Sequence, residues 1–337
     1  MKDCDETCLS RIDRFSFMSG RRSRMKWMDG HCDVLYKMWK SESPISFYEC
    51  NESLDVTYPA AHSSGVGIQV FAVFVPPEVP RSQFLHAALK QVDLFHERIL
   101  LHGKKVVPLL SREDLIRLKS SGRMGALLSL EGADPLQGDT AHLRLLYRLG
   151  MRQVGLTWNH ANEVADGIEE ERNGGLTRFG RSLVKEMKRL NMVLDVSHLS
   201  VRGFWEVIEE DLPVIASHSN CRAVCSHVRN LGDEQIRALI RREGLIGVTF
   251  VPKFVHDDPD QASIEGVLRH IDHICALGGE KCIAFGSDFD GIDQKVPGLE
   301  DTGALDGFRE ILLQRYPEPL VRRWTVENGF QFYFKHL

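Results

Sequence analysis

The sequence lacks the features that mark membrane-spanning, disulfide-rich and nucleic-acid-binding proteins. Its 337 residues contain no apolar run of transmembrane length, and the first 24 contain none long enough for the core of a signal peptide. The eight cysteines include no CxxC pair, and Lys plus Arg (42) nearly balances Asp plus Glu (47). We therefore expect a reduced, cytoplasmic protein whose partners are neither nucleic acids nor membranes.

The distribution of apolar residues divides the chain into two segments. Residues 1–24 carry an arginine cluster but no apolar run, which predicts a disordered tail. Residues 25–337 contain no obvious linker, low-complexity tract or internal repeat, so we expect them to form one domain.

Nine short runs rich in Val, Ile, Leu and Phe recur along the chain. Most are apolar at nearly every position, which is typical of parallel strands that are buried on both faces. The runs are 25–31, 66–75, 105–110, 125–132, 151–158, 192–198, 213–218, 245–251 and 282–288. Segments with apolar residues three to four positions apart lie between them and predict helices. The clearest of these are 81–102, 140–150, 176–192, 233–244 and 264–279.

Strand followed by helix, repeated about eight times, predicts an α/β fold of the (β/α)8 TIM-barrel type. Nine strand candidates compete for eight places. We expect the run 105–110 to lie outside the barrel, because no candidate chemical group follows it. The alternative is an open doubly wound sheet, but no G-x-G-x-x-G follows the first strand to support it.

Polar side chains follow six of the eight strands, at the end where barrel enzymes carry their active sites. They are His31 and Asp33, Glu131, Asn159 and His160 after Trp158, His198, His218, and Asp288 followed by Asp290. Each has an ordinary explanation, since a histidine at a strand end is most often structural and an aspartate is often a helix N-cap. Glu131 is the exception, because a carboxylate after the apolar run GALLSL is costly to bury unless a cation meets it.

The first strand ends in His31-Cys32-Asp33. Side chains alternate between the two faces of a strand, so His31 and Asp33 share one face while Cys32 points away and is expected to pack. Together with Glu131 and two later histidines, this pair forms a nitrogen and oxygen donor set without a thiolate. Such a set favours zinc, with manganese, cobalt or iron as substitutes.

Five candidate ligands exceed the three that one catalytic zinc takes from its protein. The count is resolved if Glu131 bridges two ions, with His31 and Asp33 on one ion and His198 and His218 on the other. Two ions so placed can hold a hydroxide and polarise a carbonyl, so the predicted chemistry is hydrolysis.

Several motifs also occur together and in order from about Lys26 to the C-terminus, although each alone is a weak to moderate signal. They are DGHCD (29–33), LEGAD (130–134), LRLLYRLGMRQVGLTWNHANEVADG (143–167), LTRFGRSLVKEMKRLNMVLDVSHLS (176–200), VIASHSNCRAVCSHVRN (214–230), FGSDFDG (285–291) and GLED (298–301). With these motifs the chain resembles the membrane (renal-type) dipeptidases, peptidase family M19, which are amidohydrolase-like barrels.

The resemblance implies a dipeptidase with two zinc ions per chain and Glu131 as the bridging, catalytic carboxylate. It implies that Arg229 holds the terminal carboxylate of the substrate, and that Asp288 binds the free amine and assists proton transfer at the scissile nitrogen. A homodimer would be usual for the family.

The chain departs from the animal pattern in two respects. Where the family places a histidine that stabilises the oxyanion after the fourth strand, this sequence has Trp158, and His160 follows two residues later. We expect both to contact substrate. His160, which would reach the site from the loop, is the candidate for the catalytic task, with Asn159 and Asn162 as weaker candidates. Without secretion or lipid-anchor signals, the chain resembles cytosolic bacterial members.

Two alternatives to dipeptide hydrolysis remain open. Related barrels use the same metals to cleave N-acyl amino acids, cyclic amides or lactones. The chain could also be a catalytically silent barrel, although candidate ligands stand at every expected place.

Overall fold

Eight parallel strands close into a barrel in this computed structural model, which describes residues 25–337. The predicted tail, residues 1–24, lies outside the described residues, and the division into a tail and one domain stays a prediction. The strands are β1 (Trp27–Asp29), β2 (Val66–Phe74), β3 (Val106–Pro108), β4 (Met124–Glu131), β5 (Met151–Gly155), β6 (Val193–Asp195), β7 (Val214–Ala216), β8 (Leu245–Val248) and β9 (Ile283–Phe285).

The barrel is formed by every strand except β3. β1 pairs with both β2 and β9, β2 pairs with β4, and β4 to β9 pair in sequence. Within the described residues β3 pairs with β4 alone, beside Met124–Ala126, whereas β5 takes the residues of β4 from Leu128 onward. The (β/α)8 barrel and the exclusion of the run 105–110 are therefore confirmed.

Helices occupy the connections between strands and surround the barrel. They are α1 (Val34–Lys40), α2 (Tyr58–Ser64), α3 (Phe84–Leu94), α4 (Arg112–Ser121), α5 (Thr140–Arg148), α6 (Arg178–Arg189), α7 (Val201–Ile208), α8 (Asp233–Arg241), α9 (Pro252–Val255), α10 (Ile264–Ala276), α11 (Leu305–Arg315), α12 (Glu318–Arg322) and α13 (Asn328–His336). Each of the five predicted helical segments contains one of them. Within residues 25–337, none is both long enough and apolar enough to cross a membrane.

Side-chain caps explain where several helices begin. The Thr177 hydroxyl accepts a hydrogen bond from Gly180 N at 3.0 Å at the start of α6, and the Asp139 carboxylate accepts one from Ala141 N at 2.7 Å at the start of α5. These oxygens satisfy backbone N–H groups that have no partner within a helix.

The barrel interior is apolar at the amino ends of the strands and polar above them. Met28, Ile68 and Val193 form an inner cluster that includes Phe330 and Tyr333 of α13. Further along the strands the buried side chains include Gln153, Asp195 and Ser217. Buried polar groups need hydrogen-bond partners. The hydrogen bonds of these three side chains connect them to the side chains at the carboxyl end of the barrel.

Candidate metal centre

The five predicted metal ligands meet at the carboxyl end of the barrel. Glu131 lies at their centre, as the last residue of β4. Its Oε2 is 3.5 Å from His31 Nε2, and its Oε1 is 2.8 Å from His198 Nε2 and 3.6 Å from His218 Nε2. Asp33 Oδ2 lies 3.4 Å from His31 Nε2. The two oxygens of one carboxylate thus face two separate sets of donors.

These donors fit divalent metal ions. His31, Asp33 and Glu131 form one group whose ligand atoms all lie within 4.8 Å of one another, and Glu131, His198 and His218 form a second. Both ring nitrogens of His31 and Oδ1 of Asp33 are buried without a hydrogen-bond partner among the described residues. Polar atoms left unpaired in this way are costly unless an ion binds them, and imidazole with carboxylate suits zinc.

The charges at this centre also favour a cation. Burial disfavours the imidazolium form of His31, but Glu131 and Asp33 outweigh it and raise the pKa of His31 well above its usual value. Burial and Arg229 lower the pKa of His198 to about 4, and burial with the two other histidines lowers the pKa of His218 well below its usual value. At neutral pH His198 and His218 are therefore neutral imidazoles, the form that ligates metals.

The last strand adds a further carboxylate through an unusual backbone conformation. Asp288 follows β9 with φ of 64°, in the left-handed region, which aspartate tolerates better than most residues. Its Oδ1 lies 3.7 Å from His31 Nε2, and His31, His218 and Asp288 form a third group of candidate ligand atoms. Burial raises the pKa of Asp288.

Arg229 reaches the centre from the loop after β7. Its guanidinium is buried and donates to the carbonyl oxygens of Ser197 and His218, with Nη2 3.2 Å from His198 Nε2. Burial lowers its pKa to about 10, so the group is still a cation at neutral pH. Its position beside the candidate ligand histidines suits a group that would bind an anion next to a metal ion.

The model of the membrane dipeptidase family, peptidase family M19, matches residues 20–333. The chain belongs to this family. It is similar to dipeptidase aclJ of Aspergillus oryzae, with 33% identity over 274 residues that make up 77% of this chain and 64% of the relative. It also resembles dipeptidase tcpJ of Claviceps purpurea, with 33% identity over 68% of this chain and 56% of that one. The chain thus spans less than two thirds of the length of these curated relatives.

A solved structure is similar over nearly the whole chain of this M19 member. It is a metallopeptidase from Rhodobacter sphaeroides bound to a phosphinate mimic of the dipeptide L-Ala-D-Ala, with 25% identity and a TM-score of 0.86. The match covers 93% of this chain and 99% of the other.

This M19 chain places Trp158 and His160 differently with respect to the centre. The Trp158 ring lies between those of Phe74 and His198, at centroid distances of 5.3 and 6.2 Å. The side chain of His160 is 57% exposed, with Nε2 4.0 Å from Glu169 Oε2 and its ring 5.6 Å from that of Trp158. In the structure, Trp158 therefore lies against a candidate ligand, whereas the His160 side chain is largely exposed to solvent.

A cleft of about 470 Å³ opens beside Trp158 in this M19 chain. Its walls come from the segment 75–84 after β2, from Asp134 and from residues 158–163. Arg81 and Glu163 form an ion pair at this cleft. Trp158 is shared between the cleft and the packing of His198, so the cleft adjoins the metal centre.

Sequence reasoning missed Ser217 and Asp195, and named Asn159 only as a weaker catalytic candidate, although all three lie where they orient the histidines of the second candidate ligand set. His198 Nδ1 lies 2.7 Å from Asn159 Oδ1, and His218 Nδ1 lies 2.8 Å from Ser217 Oγ, which in turn donates to Asp195. One signal was available, since Asp195 is a carboxylate inside the otherwise apolar strand run 192–198. A carboxylate next to apolar strand residues was also the signal that singled out Glu131.

Proposed function

We propose that this chain is a binuclear zinc dipeptidase, which hydrolyses the peptide bond of a dipeptide with a free amine and a free carboxylate. The observation that carries the proposal is the position of Glu131, with one oxygen toward His31 and the other toward His198 and His218. A carboxylate shared by two nitrogen and oxygen donor sets suits a pair of metal ions. Manganese, cobalt or iron could replace zinc in such a site.

The residues around this centre fit the steps of peptide hydrolysis. Two bound ions would supply an activated water and polarise the scissile carbonyl. Asp288, facing His31 at 3.7 Å, would accept a proton and return it to the leaving amine. Because burial raises its pKa, the Asp288 carboxyl is better matched to a proton transfer near neutral pH than an exposed aspartate.

Two opposite charges beside the metals match the two ends of a dipeptide. The buried Arg229 guanidinium would bind the terminal carboxylate of the substrate, for which its planar fork of donors is suited. Asp288 would also bind the free amine. A substrate that lacks either charged end would leave one of these buried charges unpaired, which is the physical basis for a preference for dipeptides.

The cleft beside Trp158 is a place for one substrate side chain. Its walls combine apolar side chains, among them Val75, Val79, Phe84 and Trp158, with charged and polar ones, and His160 lies at its edge. We assign His160 a substrate-contacting role at the rim.

A dipeptide panel tests the proposal. L,L- and L,D-dipeptides, including Ala-D-Ala because the Rhodobacter relative was solved with its mimic, would be offered to protein loaded with zinc, manganese or cobalt. N-acetyl amino acids, cyclic amides and lactones would be run in parallel. We expect cleavage of dipeptides only. Faster cleavage of another class would overturn the substrate assignment, and inactivity of every metal-loaded form would favour a silent barrel.

The compartment and the assembly are separate predictions. The six cysteines among the described residues are free thiols, which suits a reducing compartment such as the cytoplasm. A homodimer stays a prediction from the family resemblance, for which size measurement in solution is the test.

A further inference from the structure

We infer that Asp195 is a positioning residue, which fixes the proton of His218 through the hydroxyl of Ser217. The inference rests on the proposed function only in treating His218 as a metal ligand. Asp195 and Ser217 are both buried within the barrel, with relative exposures of 7% and 3%. Neither belongs to the groups of candidate ligand atoms around Glu131.

The Asp195 carboxylate is surrounded by donors. Oδ1 accepts from Ser197 N at 3.1 Å, from Ser197 Oγ at 2.8 Å and from Ser217 N at 3.0 Å. Oδ2 accepts from Ser217 Oγ and, at 3.4 Å, from Gln153 Nε2. A carboxylate can accept all of these hydrogen bonds because it is an acceptor at both oxygens.

The direction of the next hydrogen bond follows from this arrangement. A serine hydroxyl has one proton, and Ser217 gives its proton to Asp195. Its oxygen can then only accept from His218 Nδ1, 2.8 Å away, so Nδ1 carries the proton of this imidazole. His218 Nε2 is left with a free lone pair, 2.8 Å from His198 Nε2 and 3.6 Å from Glu131 Oε1. This is the tautomer that binds a metal ion through Nε2.

The other end of the network is anchored at the base of the barrel. The Tyr333 hydroxyl of α13 donates to Gln153 Oε1 at 2.6 Å, and Gln153 then donates to Asp195. The main chain around Ser217 is also closely held, because a Cβ at Gly247 or Gly286 would collide with its carbonyl oxygen. Side chains from α13, β5 and β6 are thus connected to the candidate ligand after β7.

Replacing Asp195 with asparagine should move the proton of His218 from Nδ1 to Nε2. An asparagine offers an NH2 group where the carboxylate had a second acceptor. Ser217 Oγ would accept from this group and turn its own proton toward His218 Nδ1. The His218 proton would then lie on Nε2, where it blocks the lone pair that a metal needs.

The test compares Asp195→Asn and Ser217→Ala with the wild type. In the metal-free protein, ¹H–¹⁵N spectra of the histidine side chains report which ring nitrogen carries the proton. We expect Nδ1–H for His218 in the wild type and Nε2–H in Asp195→Asn. Competition with a chelator should show zinc bound about 10- to 100-fold more weakly at one site in Asp195→Asn, and about 10-fold more weakly in Ser217→Ala.

Asp29→Asn is the matched control. Asp29 is as buried as Asp195 and accepts from Ser287, from Gln69 and, at 3.4 Å, from the backbone N–H of His31, a bond that an asparagine oxygen can still accept. Its carboxylate contacts no ring nitrogen of a candidate ligand. Its replacement should lower stability and leave zinc affinity unchanged. The inference would be overturned if Asp195→Asn and Ser217→Ala kept the wild-type zinc affinity and His218 tautomer. It would also be overturned if Asp29→Asn lost as much zinc affinity as they do. If Asp195→Asn does not fold, Ser217→Ala decides. Protein that binds no zinc would refute the proposed function, yet the spectra would still test whether Asp195 fixes the His218 proton through Ser217.

Discussion

The Nε2 atoms of His198 and His218 lie 2.8 Å apart and share one neighbour, Oε1 of Glu131. Two imidazole lone pairs at this distance repel each other unless a cation lies beside them. The Arg229 guanidinium provides one such cation, with Nη2 3.2 Å from His198 Nε2, whereas burial keeps the pKa of both histidines below its usual value and disfavours a proton between them at neutral pH. A bound metal ion would relieve the remaining repulsion, and Glu131 would neutralise part of its charge.

Glu131→Gln is expected to lose metal. The amide keeps the size of the side chain but removes the charge that faces His31, His198 and His218, and its NH2 group cannot ligate an ion. After dialysis against a mild chelator, atomic emission should find about two ions per chain in the wild type and fewer than about one in the variant. Glu113→Gln, at an exposed position in α4, is the control. Two retained ions in Glu131→Gln would contradict the bridging assignment.

The sequence was sufficient for the barrel because most strands are nearly continuous apolar runs, and the polar residues that follow the strands had to meet at one end of the barrel. His31, Asp33, Glu131, His198 and His218 could be grouped on that basis. Strand alternation also separated Cys32 from its neighbours, and Cys32 is buried in the hydrophobic core.

Other features could not be read from the sequence, because they depend on register and loop paths. The contact of Ser217 with Asp195 requires β7 to lie beside β6 in one register. Burial of Arg229 follows from the course of the loop after β7, and the direction of the Asp288 carboxylate from a positive φ. No local sequence pattern predicts the burial of Arg229 or the direction of the Asp288 carboxylate.

Arg229→Lys is expected to impair the cleavage of dipeptides selectively. Lysine keeps the charge but cannot make two parallel hydrogen bonds to a carboxylate. We expect kcat/KM for a dipeptide to fall about 100-fold, and that for the same dipeptide with a C-terminal amide to change much less. Equal losses for both substrates would mean that Arg229 supports the fold or the metals and does not bind the carboxylate.

Trp158 and His160 should differ in their effects on turnover. Trp158→Ala removes the ring that packs on His198, so we expect kcat to fall about 10-fold. His160→Ala changes a largely exposed side chain and should alter kcat less than about threefold, with its main effect on KM. Trp205→Ala, at a position 38% exposed in α7, is the control for loss of an indole. A larger loss of kcat in His160→Ala than in Trp158→Ala would place the catalytic role on His160.

His270 lies away from the candidate metal centre and is expected to lower the stability of the protein in acid. His270 is buried in α10; Cys221 N donates to its Nδ1 at 3.1 Å, and its Nε2 lies 3.1 Å from Val255 O. Both contacts suit the neutral ring with the proton on Nε2, and burial lowers the pKa of His270 from 6.5 to about 4. The unfolded chain therefore binds more protons than the folded chain between these values.

His270 accordingly favours the folded state fully above pH 6.5, and this contribution is lost as the pH falls toward 4. A difference of this size corresponds to roughly 3 kcal/mol in the free energy of unfolding. In His270→Asn the amide oxygen can still accept from Cys221 N, but the side chain does not titrate. Denaturant unfolding from pH 7.5 to 4 should therefore show the wild type losing about 3 kcal/mol more than His270→Asn. Parallel pH curves for the two proteins would show that His270 does not contribute, because every other titrating group is common to both.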